Sequence, residues 1–139
     1  MSYPETSRPF RVAIVGTGVI AVPHAKALQS LPGVELAAVC DIDEAKVRAF
    51  EQQFHVSEYH TDLGRMLEKV KPDAVHVLLP AALHTGPAEL CLAGGAHIFV
   101  EKPFCATSED CLRVQRAAER FGRHIGVNHN VTYLSLIHI

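Results

Sequence analysis

Short β-branched apolar runs alternate with stretches of helical periodicity along most of this chain. The run "RVAIVG" (residues 11–16) is continuously apolar and closes on glycine, the pattern of a strand buried on both faces of a parallel sheet. It leads directly into "VIAVPHAKALQSL" (19–31), where Ile20, His24, Ala27, Leu28 and Leu31 fall on one helical face. Pro23 is compatible with that helix because first-turn N–H groups have no intrahelical partner. "ELAAVCD" predicts a second strand, and "DEAKVRAFEQQF" a second helix with Val47, Phe50 and Phe54 inward and acidic residues in its first turn. The alternation continues through a weak strand at "SEYH", a helix at "DLGRMLEKV" with Leu63, Met66, Leu67 and Val70 as its stripe, and a strong strand at "DAVHVLLP". "GPAELCLAGG" is a short helix with Pro87 near its start. "HIFVEKP" is the next strand, "TSEDCLRVQRAAERFG" a helix capped by Thr or Ser and ended by Gly122, and "HIGVN" begins a further strand.

Strands alternating with helices imply right-handed crossovers and a doubly wound parallel sheet, an α/β domain with helices on both faces. Ligands in such sheets bind beyond the C-terminal strand ends, near the switch in strand order. The residues there are informative. The first strand ends in Gly16-Thr17-Gly18-Val19-Ile20-Ala21, a G-x-G-x-x-A form of the dinucleotide fingerprint. Gly16 permits the tight turn, Gly18 admits a pyrophosphate to the backbone, Ala21 allows close helix–strand packing, and the helix N-terminus offers unpaired N–H groups. The second strand ends in Asp41, where the fingerprint expects an acid for the adenosine ribose; a helix cap is the alternative, and Asp43 is the better cap. No Arg or Lys follows that strand immediately, which favours NAD over NADP.

His84, in the loop after the fourth strand, has a loop or cap role and a functional one open to it. After the buried "HIFV" run stand Glu101 and Lys102, and a lysine there can hydrogen-bond a substrate oxygen and stabilise charge as hydride leaves carbon. Lys102 is the catalytic candidate. The 139 residues suit one domain, and a net charge of −2 offers no basic face for nucleic acid, so a small-molecule partner is expected. Cys40, Cys91, Cys105 and Cys111 match no zinc spacing, no histidine pair has ligand spacing, and no metal is expected. With no signal peptide and no bilayer-length apolar run, the expected setting is cytoplasmic, away from membranes.

These motifs resemble the glucose-fructose oxidoreductase/inositol dehydrogenase family of NAD(P)-dependent oxidoreductases. The likeness is carried by "GTGVIAVPHAKAL", "AVCDID", "PDAVHVLLPAALH", "AGGAHIFVEKP" and "GVNHN". It implies that Gly16, Thr17, Gly18, Val19, Ile20 and Asp41 contact the dinucleotide, that Pro80, His84 and Glu101 border its nicotinamide half, that Lys102 orients a sugar or polyol hydroxyl, and that Asn128 lies near the substrate mouth. The activity implied is hydride transfer between a secondary alcohol and nicotinamide; a non-catalytic dinucleotide-binding sensor or corepressor on the same scaffold is the alternative. The family also carries a second α/β domain that supplies most of the substrate pocket and commonly the homo-oligomer contacts. Its pattern ends here after "NHN". Residues 1–8 are accordingly expected to be a flexible N-terminus and 9–133 the dinucleotide-binding domain. Residues 134–139, "LSLIHI", resemble the translation of a sequencing-library adapter and are expected to be a non-native tail of a truncated, by itself inactive, fragment; a natural short apolar strand, suited to its β-branched isoleucines, is the alternative.

Overall fold

The computed structural model describes residues 8–128; the expectations for the first seven residues and for those after Asn128 lie outside them. Six strands, β1 (Phe10–Val15), β2 (Val34–Cys40), β3 (Glu58–His60), β4 (Ala74–Val77), β5 (His97–Glu101) and β6 (Ile125–Asn128), form one sheet in the order β3-β2-β1-β4-β5-β6, and every pair is parallel. The order reverses between β1 and β4. That is the doubly wound arrangement the alternation predicts, with its switch point where the glycine loop begins.

The connecting helices are α1 (Ala21–Ser30), α2 (Glu44–Phe54), α3 (Leu63–Val70), α4 (Thr85–Ala93) and α5 (Ser108–Phe121), with one turn of 3-10 helix at Ala81–Leu83. Strand alternation divides the core into two layers. Ala13, Val15, Val75, Val77, Ile98 and Val100 pack against Met66 of α3, Leu92 of α4 and Val114 of α5. Val12, Ile14, Leu36 and Val39 face Ala25 and Leu28 of α1 and Val47 and Phe50 of α2. Fully burying an aliphatic side chain of this size contributes about 1.5–3 kcal/mol, so these layers hold the strand ends in register. All four cysteines are free thiols, and three are buried.

The caps follow the sequence closely. Asp43, Asp62 and Thr107 accept the N–H of Lys46, Arg65 and Asp110 at the starts of α2, α3 and α5, and Gly122 ends α5 in the left-handed conformation. Two details differ from expectation. The inward face of α1 is Ala21, His24, Ala25 and Leu28, while Ile20 and Leu31 are 41% and 51% exposed and Ala27 faces out. The helix starts only at Ala21, and two alanines let it lie close to the sheet, which turns the bulkier residues aside. The fourth strand also stops at Val77 rather than running to Pro80, because Leu78 gives its N–H to Val15 and then leaves the ladder.

Candidate functional site

The register lines up the predicted residues. Val15 pairs with Cys40 and Val77, and Val77 pairs with Val100, so one residue further on Asp41, Gly16, Leu78 and Glu101 lie along the C-terminal edge, with Asn128 opposite Glu101. Four of these five are candidates read from the sequence.

The two glycines of the loop do different work. Gly16 has φ +94°, and a Cβ there would lie 2.8 Å from the Leu78 carbonyl oxygen, so backbone conformation and close approach both demand glycine. A Cβ on Gly18 would meet nothing within 4 Å. Gly18 therefore opens outward rather than packing inward. The N–H groups of Gly18, Val19 and Ile20 have no acceptor among the described residues, and they sit at the positive end of α1. Val19 is 93% exposed.

Asp41 is tied to this loop. Its Oδ2 accepts the Thr17 N–H at 2.9 Å and the Thr17 hydroxyl at 2.8 Å, and its Oδ1 accepts the Asp43 N–H at 3.0 Å. Partial burial would raise its pKa, but the bonds from Asp43 and Thr17 and the charge of Lys46 outweigh that and hold it below the ordinary carboxylate range. The group is an anion at neutral pH with acceptor capacity left. Beside it a cavity of about 490 Å³ is walled by Ile42, Leu63, Leu79 and Leu83. Lys46, one turn into α2, is a cation that sequence spacing did not associate with this strand end.

On the other side of the switch point Glu101 joins a polar chain. Its Oε1 accepts the Asn128 side-chain N–H at 2.6 Å and lies 2.6 Å from Nε2 of His24 on α1. Nδ1 of His24 is in turn 2.8 Å from Nδ1 of His76 on β4. Phe99 packs against both rings. Burial, reinforced by His24 and opposed by the Glu101 charge, pushes His76 down to about 4. Sequence reading missed His76, although one signal existed: a histidine inside the apolar run "DAVHVLLP" must find a polar partner when buried. Lys102 follows Glu101 and is exposed, and its ammonium has no partner among the described residues.

Pro80 is exposed and begins the 3-10 turn. His84 is 1% exposed, with Nδ1 2.9 Å from the Phe104 carbonyl oxygen and Nε2 against that of Leu79. Its ring thus joins the loops after β4 and β5, and both nitrogens are occupied by backbone. Among the described residues no group of three or more His, Cys, Asp or Glu side chains is gathered to hold a metal ion, and no helix is long and apolar enough to cross a membrane.

A dinucleotide fits what is present: unpaired loop N–H groups at a helix N-terminus for phosphates, an outward-open Gly18, and a hydrogen-bonded anion beside an apolar cavity for a ribose and its base. Comparison with known proteins agrees. A family model described as an oxidoreductase family with an NAD-binding Rossmann fold matches residues 10–129. The chain is 34% identical over 124 residues to D-glucoside 3-dehydrogenase of Escherichia coli, covering 88% of this chain and 35% of that protein. It is 32% identical over 117 residues to inositol 2-dehydrogenase 1 of Saccharopolyspora erythraea, covering 83% and 35%. Among solved structures, the WlbA dehydrogenase of Chromobacterium violaceum in complex with NADH and UDP-GlcNAcA superposes with a TM-score of 0.85 at 34% identity, covering 92% of this chain and 37% of that one. The chain spans about a third of the length of the curated relatives it matches.

Proposed function

The chain belongs to the Gfo/Idh/MocA oxidoreductase family as its NAD-binding Rossmann domain, and from that premise we propose that it serves a dehydrogenase acting on a secondary alcohol of a sugar, polyol or related compound. The observation that carries this reading is the exposed Lys102, one residue beyond the Glu101 that shares the strand-end row with Gly16 and Asp41. When bound, the nicotinamide supplies or accepts the hydride. The chain's own residues do the rest. The loop from Gly16 to Ile20 and the start of α1 hold the phosphates, and the Asp41 carboxylate accepts hydrogen bonds from the adenosine ribose. The same negative charge disfavours a 2′-phosphate, so NAD is preferred to NADP. Lys102 donates a hydrogen bond to the substrate oxygen and stabilises negative charge on it as the C–H bond breaks. Pro80, His84 and Glu101 border the nicotinamide half, His84 also tying the flanking loops together through its two backbone contacts, and Asn128 lies near the substrate mouth.

The test is Lys102→Ala in a polypeptide of the relatives' full length carrying this domain. Turnover should fall by roughly 10²–10³-fold with NADH affinity retained, the magnitude expected for losing one positioned charge-stabilising donor. Turnover near the parent level would remove Lys102 from the chemistry.

A further inference from the structure

Two contacts in the chain Glu101–His24–His76 each require one shared proton. The facing Nδ1 atoms of the two histidines, 2.8 Å apart, cannot both be bare or both protonated, and the 2.6 Å contact between His24 Nε2 and Glu101 Oε1 likewise needs a single hydrogen. Only two arrangements keep both rings neutral. In the first, Glu101 is ionised, His24 carries its proton on Nε2, and His76 carries its proton on Nδ1 with Nε2 bare. In the second, Glu101 is protonated, His24 carries its proton on Nδ1, and His76 on Nε2.

We propose that these three side chains form a proton wire through which the strand-end carboxylate exchanges one proton with the groove beside α1, rather than only across the face that carries the glycine loop. A proton entering at Nε2 of His76 displaces the Nδ1 proton onto His24 Nδ1, and the Nε2 proton of His24 passes to Glu101 Oε1. Each N–H bond broken is replaced by another, one proton is gained overall, and nothing is oxidised or reduced. The reverse sequence releases it.

The entry point is open. Nε2 of His76 has no partner among the described residues, and no buried side-chain nitrogen or oxygen among them lacks one, so this atom reaches solvent. It does so through a groove of about 410 Å³ walled by Ala27 of α1, by Ile20 and Leu31 at the two ends of that helix, and by Phe99 of β5. Among the described residues, the titratable groups facing the wire are its own members: His24 from α1, His76 from β4 and Glu101 from β5, with Lys102 next along the chain. Phe99 and the Asn128 amide, from β5 and β6, are uncharged. His76 also resists becoming a cation until about pH 4, so it can relay a proton without retaining it.

The inference rests on the function proposed above for its purpose, since oxidation of an alcohol liberates a proton beside Lys102 and a covering dinucleotide would close the direct route to solvent. His24 and His76 are positioning residues that act through Glu101. The experiment is a titration of the uniformly ¹⁵N-labelled 139-residue chain by NMR, from about pH 5 to about pH 8, the range in which histidine equilibria fall. A proton entering the wire should appear as movement of the His76 ring proton from Nδ1 to Nε2, with the His76 ring remaining neutral. A single fixed tautomer of His76, or its conversion to a cation with the profile of a free histidine, overturns the wire. In His76→Phe, with folding checked by its melt, exchange of the His24 ring proton with water should slow; exchange at the wild-type rate overturns the proposal too. Should that variant not fold, the wild-type titration alone decides. Added NADH separates the two readings: if it leaves the backbone signals of Gly16 to Ile20 unmoved, the cofactor reading fails, whereas the tautomer result judges the wire alone.

Discussion

At the scale of single residues, the fingerprint separates into a glycine the fold needs and a glycine left open to a ligand. Gly16→Ala forces a side chain into a left-handed backbone and against the Leu78 carbonyl, so it should cost roughly 1–3 kcal/mol of stability in a denaturant melt. Gly18→Leu adds atoms where the protein has none within 4 Å of a Cβ. Its stability should stay within about 0.5 kcal/mol of wild type, as for other surface changes, while NADH affinity falls in a fluorescence titration. Equal losses of stability in the two variants would contradict this division. Both glycines, and the tight turn at Gly16, were legible from the motif, but the Leu78 carbonyl that closes on Gly16 was not, because that depends on where Leu78 leaves β4. His76 is a second case. Its strand was legible, yet its partner His24 lies 52 positions away on a helix, beyond any local pattern.

At the scale of elements, the β2–α2 junction carries two aspartates with separable tasks. Asp43 accepts the Lys46 N–H and starts α2, so Asp43→Ala should cost about 1 kcal/mol of stability and leave NADH affinity unchanged. Asp41 instead braces the glycine loop through Thr17, and Asp41→Ala should weaken NADH binding more than it weakens the fold. Calorimetric melts and binding titrations of both variants check this, and the reverse pattern would exchange the roles. Alternation of strands and helices, and most caps, could be read from period and punctuation because both are local. The face of α1 could not, since Ile20 and Leu31 fit the helical period as well as Ala21 and Ala25 do. What decided it was the space between helix and sheet, which admits alanine.

At the scale of the whole molecule, the buried histidine couples stability to pH. The folded-state value of His76 is about 4, below the ordinary 6.5, so its contribution is fully present above pH 6.5 and is lost as pH falls toward 4. That window is worth about 3 kcal/mol. Melting temperatures measured across it should fall in the wild-type chain and fall less in His76→Phe; a flat wild-type profile would contradict the burial argument. Asp41, Glu58 and Asp73, whose values are also depressed, lose their contributions at lower pH, which keeps the two effects apart. The central claim is that the C-terminal edge of this sheet is a dinucleotide site, and the most direct test is a titration of the 139-residue chain with NADH and with NADPH. Saturable binding of one NADH per chain, tighter than NADPH and weakened by Gly18→Leu and Asp41→Ala, is the predicted result; a folded chain that binds neither would contradict it.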